Sequence, residues 1–247
     1  MQNTSTVYKE LYSLPHIKEA KLEIYDTTGV QLIGTFTDEK LISMSTERSL
    51  VDEDTLRVGC CASGEIDVEF IPTDNNGNRI AIPRMAMLKP YYRLHSVDSN
   101  NTSEYIQKGV YFIDTREENK ANGALKVHGF DALIKSEANY PSDTASEYPK
   151  QDTAIVTFLA NALGVTVDSR TWNVITGLYS IGLPLGYSIR EVLGGIAAMY
   201  CANFCISDTG SLLAIGVDSL QTSNTVFNLV DTVSGASLTF GGDRISV

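Results

Sequence analysis

Alternating apolar and polar residues predict β-strands along the first half of the chain. The clearest case is Glu65–Phe70, where Ile66, Val68 and Phe70 would face a core and acidic residues would face outward. An all-acidic outer row is typical of a solvated face, and it could also meet a basic neighbour in an assembly. Further strands are predicted over residues 20–26, 31–36 and 90–95, and a β-hairpin over residues 109–128.

Helical spacing and caps predict two main helices in the second half of the chain. Asp152 is the predicted N-cap of the first, which would end at Gly164. Ser188 and Glu191 form a capping-box pattern at the start of the second. Asp131 is a predicted cap for a shorter helix. The apolar stripes predicted for the two main helices are Ile155, Phe158, Leu159 and Leu163, and Ile189, Val192, Leu193, Ile196 and Tyr200.

Two adjacent glycines interrupt the second predicted helix. Gly194 and Gly195 lie off its apolar stripe, and each costs about 1 kcal/mol relative to alanine inside a helix. We therefore predict that both allow close packing of the helix backbone, and that Gly195→Leu destabilises the fold or blocks assembly.

The connections between these elements suggest how the chain is divided. Residues 139–149 are polar and contain two prolines, which is typical of a linker or long loop. Residues 165–168 read as a short strand, and residues 203–206 and 212–215 as a hairpin. Residues 217–247 are rich in Ser, Thr, Asn and Val, and we predict short strands there that do not form a complete domain by themselves.

Charge is scarce in the last part of the chain. The net charge of −11 argues against nucleic-acid binding as the main role. Residues 152–247 carry ten charged side chains, against 39 in the other 151 residues, and no lysine follows Lys150. Interface cores are depleted in charge. The region is therefore either an interface or a small β-rich part covered by Ser, Thr and Asn.

The four cysteines are predicted to be small buried hydrophobes rather than disulfide or zinc partners. Cys60 and Cys61 would point to opposite faces of a strand, and neither they nor Cys201 and Cys205 have a second ligand pair nearby in sequence. We expect no signal peptide, because the N-terminus has no basic stretch followed by an apolar run, and no membrane span.

The sequence offers no catalytic constellation. His16, His95 and His128 lack a partner in any hydrolase or zinc-protease spacing. The acidic segment 74–78 differs from a calcium loop, because its glycine is misplaced by two residues and Met85 stands where a bidentate glutamate is needed; it predicts a turn. We therefore predict no catalytic, cofactor or metal site and no enzyme activity. Trp172, Tyr179 and Tyr187 are the clustered aromatics that could suit a glycan-binding groove.

Five motifs follow one another between residues 43 and 215. They are the small-residue run into the strand at 59–70, the hairpin at 109–131, Tyr148-Pro149, the helix end at Leu163-Gly164-Val165, and the capped helix at 188–198. In this order and spacing they resemble the tail hub proteins of bacteriophages and prophages from Gram-positive hosts.

That resemblance implies a fold and a role. It implies a mainly β protein with a smaller α/β part: a β-barrel tube-like domain over residues 1–147, a small α/β domain over 148–216, and strands of an incomplete second barrel over 217–247. It implies a structural subunit of a phage tail tip or baseplate hub, related to contractile-injection hubs and type VI spikes. As a homotrimer it would meet tail-tube, distal-tail or spike proteins in the virion tail. The alternatives are a carbohydrate-binding tail-tip adhesin and the N-terminal part of a tail-associated cell-wall endopeptidase.

Overall fold

A computed structural model describes residues 4–37, 39–51, 57–141 and 147–216, and its architecture is mainly β. Its three α-helices are α1 (Thr6–Tyr12), α2 (Asp152–Leu163) and α3 (Ile189–Met199). Short 3-10 helices span Ala132–Glu137 and Ser169–Asn173. The strands are β1 (His16–Tyr25), β2 (Leu32–Thr37), β3 (Leu41–Glu47), β4 (Glu65–Phe70), β5 (Met87–Ser96), β6 (Ile106–Gln107), β7 (Tyr111–Glu118), β8 (Leu125–Phe130), β9 (Lys150–Gln151), β10 (Ser180–Ile181), β11 (Ala202–Ile206) and β12 (Leu212–Gly216).

The first eight strands form one antiparallel sheet with the order β2-β1-β5-β7-β8-β4-β3, and β6 pairs with β5. The sheet is curled. Phe36 of β2, at one end of the strand order, packs against Phe70 of β4, near the other end, with ring centroids 4.6 Å apart. Across the same interior, the Tyr92 hydroxyl of β5 donates to the Met44 carbonyl of β3 at 2.9 Å. Within the described residues no backbone ladder joins β2 to β3, so the sheet stays open and the predicted barrel is not confirmed.

The inner face of the curled sheet holds the first hydrophobic cluster. The alternation predicted for β4 is confirmed, since Ile66, Val68 and Phe70 are buried. Two of the three outward acidic residues face basic residues within the sheet. His128 of β8 lies 3.2 Å from Asp67, and Lys126 stands opposite Glu69 in the ladder. Contact of this row with a basic neighbour in an assembly stays a prediction.

The second hydrophobic cluster lies between α2, α3, the Ala132–Glu137 helix and the β11–β12 hairpin. The apolar stripes of both main helices face it; Phe158 and Tyr200 are partly buried, and the other predicted positions are buried. Gly164 ends α2 with φ of +76°, as predicted for a C-cap. The strand-like residues 165–168 make only an isolated bridge from Val167 to Leu212. The cluster also includes Leu133 and Tyr140, which belong to the first predicted domain, residues 1–147.

Two details differ from the sequence-based expectations. Asp152 is the first residue of α2 rather than its N-cap, which is Gln151. Its buried carboxylate instead accepts hydrogen bonds from the Tyr200 hydroxyl at the end of α3 and from the Tyr179 amide, and these bonds hold both residues against the start of α2. Cys201 is exposed with φ of +49°, because α3 ends there, whereas Cys60, Cys61 and Cys205 are buried as expected. The predicted strands of residues 217–247 lie outside the described residues.

Candidate functional site

The two hydrophobic clusters are joined by residues 59–61, which lie beside β11. The Gly59 amide donates to the Ala202 carbonyl at 2.8 Å, and the Phe204 amide donates to the Cys60 carbonyl at 2.9 Å. The Asn203 side chain accepts from the Cys60 amide at 2.9 Å. Because Cys61 also forms a parallel bridge with Phe204, this segment acts as a third strand of the β11–β12 hairpin. Residues 59–61, which we call the connecting segment, lead into β4 of the first sheet and thus fix the position of the second cluster.

Two arginines tie the same region together. Arg48 follows β3 and donates to the Asp208 carboxylate at 2.9 Å and to the Lys108 carbonyl at 3.0 Å. Arg190 in α3 donates to the Cys61 carbonyl and forms an ion pair with Glu137. Asp208 and Arg190 are two of the ten charged residues between positions 152 and 247. Asp208 contacts Arg48 in the first half of the chain, and Arg190 contacts the connecting segment.

Asp131 is a buried carboxylate between the two hydrophobic clusters. It follows β8 and is buried, and its two oxygens accept from the Gly64 amide at 2.7 Å and the Leu133 amide at 2.9 Å. The second of these bonds confirms the predicted cap. Burial raises the pKa of the Asp131 carboxyl to about 6, although these two amides and the charges of Arg48 and Arg190 act to lower it.

The two adjacent glycines of α3 have different surroundings. A Cβ on Gly194 would lie 2.5 Å from the Gly59 carbonyl oxygen, so α3 can approach the connecting segment only with glycine at this position. Gly59 itself has φ of +82°, which favours glycine. Gly195 is exposed and a Cβ there would meet nothing within 4 Å among the described residues. Close packing within the chain is therefore confirmed for Gly194, whereas Gly195 has no such contact among the described residues. Packing of Gly195 against a neighbouring chain stays a prediction.

Gly195 instead lies in an apolar groove along the outer side of α3, the α3 groove. The groove has a volume of about 440 Å³. Glu191 is its one charged lining residue, and its carboxylate is already bound to the Ser188 amide and hydroxyl in the predicted capping box. Tyr187 and Leu185 nearby are 56% and 66% exposed. The lining residues are Ser180, Ile181, Pro184, Tyr187, Glu191, Val192, Gly195, Ile196 and Met199.

The edge strand β2 provides a second apolar surface. It has a ladder partner only on the β1 side in the described structure. Its six residues include no charged side chain and no proline, and Leu32 is exposed. Val30, in the turn before it, is 82% exposed. Natural sheets usually protect an edge with lysine, proline or a cover, because an unprotected edge pairs with other chains.

The structure separates the three aromatics considered for a glycan groove. Tyr187 lines the α3 groove. Trp172 lines a different hollow beside α2. Tyr179 packs edge-on against Tyr200, with ring centroids 5.2 Å apart. They do not form one platform, and sequence proximity alone could not have revealed this.

The histidines and the acidic turn make local contacts. His16 Nδ1 lies 2.8 Å from the Leu14 carbonyl, and His95 Nδ1 lies 2.6 Å from the Thr102 hydroxyl. Asp74 accepts from the Asn76 and Asn78 amides, which confirms the predicted turn. Among the described residues, no group of three or more His, Cys, Asp or Glu side chains is arranged to hold a metal ion. No helix in that part of the chain is long and apolar enough to cross a membrane.

Comparison with known proteins gives a structural likeness to a phage tail protein. No family model matches the sequence, and no curated protein matches it. Among solved structures, the fold is similar to the 43 kDa tail protein of prophage MuSo2 from Shewanella oneidensis, with a TM-score of 0.49 and 14% sequence identity. The match covers 82% of this chain and 56% of that protein, so this chain spans about half of its length.

Proposed function

We propose that this chain is a structural subunit of a phage tail tip or baseplate hub, and that three copies form a ring that continues the tail tube. The observation that carries the proposal is the uncharged edge strand β2, together with the exposed Val30 in the turn before it. An edge of this kind suits a protein that pairs with another chain. The order of the sequence motifs resembles that in tail hub proteins. We infer the type of assembly, a ring in the tail, from this resemblance.

The distribution of charge supports an assembling protein. The α3 groove is apolar, and its one charge is engaged in a helix cap. Interface cores are depleted in charged residues in the same way. In the proposed tail the partners are further copies of this chain and the neighbouring tail-tube, distal-tail or spike proteins.

The proposal assigns no catalytic residue. We expect purified protein to leave peptidoglycan and peptides intact, since the sequence has no nucleophile–base pair or metal-ligand spacing. Release of cell-wall fragments that disappears when a single Asp, Glu or His is replaced would instead favour the endopeptidase alternative.

Assembly at the β2 edge can be tested with one pair of matched substitutions. Thr35 is exposed on β2, and Thr35→Lys adds a charge to the edge strand. We expect this variant to fold and to lose assembly, because a lysine on an edge strand opposes pairing with another strand. The measurement is the mass of the purified chain in solution at high concentration and the incorporation of the variant into particles.

The control is Thr115→Lys, which adds the same charge at an exposed position of β7, an inner strand of the sheet rather than an edge strand; Thr115 itself pairs with His128 of β8. It should assemble as the unchanged protein does. A chain that is monomeric in intact particles would contradict the ring. Full assembly of the Thr35→Lys variant would contradict the use of the β2 edge.

A further inference from the structure

A shallow hollow beside α2 contains Trp172, the only tryptophan of the 247 residues. Its volume is about 400 Å³, within the usual range of small-molecule sites. Trp172 belongs to the 3-10 helix Ser169–Asn173, and 37% of its surface is exposed. The lining residues are Thr153, Ala154, Thr157, Trp172, Ile175 and Thr176, and we call this site the Trp172 hollow.

The polar side-chain groups of the Trp172 hollow are three threonine hydroxyls and the indole N–H of Trp172. Thr157 donates to the Thr153 carbonyl at 2.8 Å, which leaves its oxygen able to accept. In the part of the chain that the structure describes, the Thr153 and Thr176 hydroxyls have no protein partner, so both can donate and accept. The hollow thus combines one aromatic surface with three hydroxyl groups.

The lining also restricts the charge of a ligand. None of the six lining residues is charged, so the hollow offers no ion-pair partner to an anion or a cation. The net charge of −11 further disfavours phosphate-bearing ligands, nucleotides included. A purely apolar ligand would leave the hydroxyls facing it without partners. A neutral ligand with one apolar face and a polar rim satisfies both parts of the lining.

A hexopyranose ring has this distribution of groups, since its C–H groups form an apolar face and its hydroxyls form the rim. We propose that the Trp172 hollow binds a neutral hexopyranose unit of a polysaccharide, with the C–H face against the Trp172 indole and the ring hydroxyls bound to Thr153, Thr157 and Thr176. This site lies within a single chain, so it does not depend on the proposed ring.

The single tryptophan makes the site directly measurable. The probes are the methyl β-glycosides of glucose, galactose and mannose and free N-acetylglucosamine, with glycerol as the control for bulk hydroxyl effects. We expect at least one sugar to change the fluorescence of Trp172 saturably, and glycerol to cause no saturable change. The absence of a saturable change with all four sugars would overturn the proposal.

Substitutions then locate the binding. Thr176→Val keeps the shape of the side chain and removes a hydroxyl, so it should weaken binding roughly threefold to tenfold, the range for one lost hydrogen bond. Trp172→Ala should weaken it by more, and saturation-transfer NMR replaces fluorescence as the measurement for that variant. Trp172→Phe keeps an aromatic ring and should retain part of the affinity, which separates loss of binding from loss of fold.

The matched control is Tyr187→Ala in the α3 groove, which should bind the sugar as the unchanged protein does. Equal affinity of the unchanged, Thr176→Val and Trp172→Ala proteins would show that the sugar binds elsewhere and would overturn the assignment. Loss of affinity in Tyr187→Ala equal to that in Trp172→Ala would do the same.

Discussion

At the scale of single residues, two neighbouring glycines have opposite roles. Gly194→Ala would place a carbon 2.5 Å from the Gly59 carbonyl oxygen, a backbone atom that cannot rotate away. We expect it to lower the free energy of unfolding by about 1–3 kcal/mol, the usual cost of overpacking. Gly195→Ala meets no neighbouring atom and should raise the free energy of unfolding by up to about 1 kcal/mol. Urea denaturation measures both, and equal effects would contradict this difference.

Asp131 predicts a pH dependence with a definite sign. Its folded pKa of about 6 lies above the unfolded value near 3.8, so the folded state binds the proton more tightly. The contribution of this group to stability is therefore fully present below about pH 3.8 and is lost as the pH rises through about 6. Asp131→Asn does not titrate, and its amide can replace only one of the two accepted hydrogen bonds.

The measurement is the free energy of unfolding of both proteins between pH 4 and pH 7. The advantage of the unchanged protein over Asp131→Asn should grow as the pH falls from about 6 to about 4. The two proteins share all other titrating groups, so their difference isolates this one. A difference that stays constant or shrinks as the pH falls would show that the pKa of Asp131 is not raised in the folded protein.

At the scale of elements, α3 depends on its N-terminal cap. The Ser188 side chain accepts from the Glu191 amide, and the Glu191 carboxylate accepts from the Ser188 amide. We expect Ser188→Ala to cost about 1 kcal/mol, because it leaves an amide of the first turn without a protein partner. Ser180→Ala, at an exposed position of β10, should change stability by less than about 0.5 kcal/mol and serves as the control. Indistinguishable melting of the two variants would contradict the role of the cap.

At the scale of the whole molecule, the connecting segment should make the two hydrophobic clusters unfold together. Residues 59–61 hydrogen-bond to β11, and Asp131 links the start of β4 to the Ala132–Glu137 helix. Far-UV circular dichroism reports the secondary structure of both parts of the chain, whereas Trp172 fluorescence reports the 3-10 helix Ser169–Asn173 beside α2. We expect the two signals to show the same urea midpoint, as in a two-state transition. Separate midpoints would show that the clusters unfold independently.

Much of the local structure was determined by the sequence, because it depends on neighbours along the chain. Alternation in Glu65–Phe70 is enough to define a strand with one buried face, and Ser188 with Glu191 is enough to define a helix start. The Asp131 cap and the turn at Asp74 follow from the same short-range chemistry. These interactions extend over only a few residues, so composition and spacing specify them.

The tertiary structure decided the features that depend on contacts between distant segments. Asp152 is of a residue type that favours the N-cap position, but its carboxylate accepts hydrogen bonds from the Tyr200 hydroxyl and the Tyr179 amide. Neither contact can be predicted from the local sequence. Gly194 and Gly195 are equivalent in sequence, and only the approach of Gly59, 135 positions earlier, distinguishes them. The grouping of Trp172 with three threonines likewise requires α2 and the 3-10 helix to pack together. The sequence therefore determined the elements of this protein, while long-range packing decided which of their residues share a site.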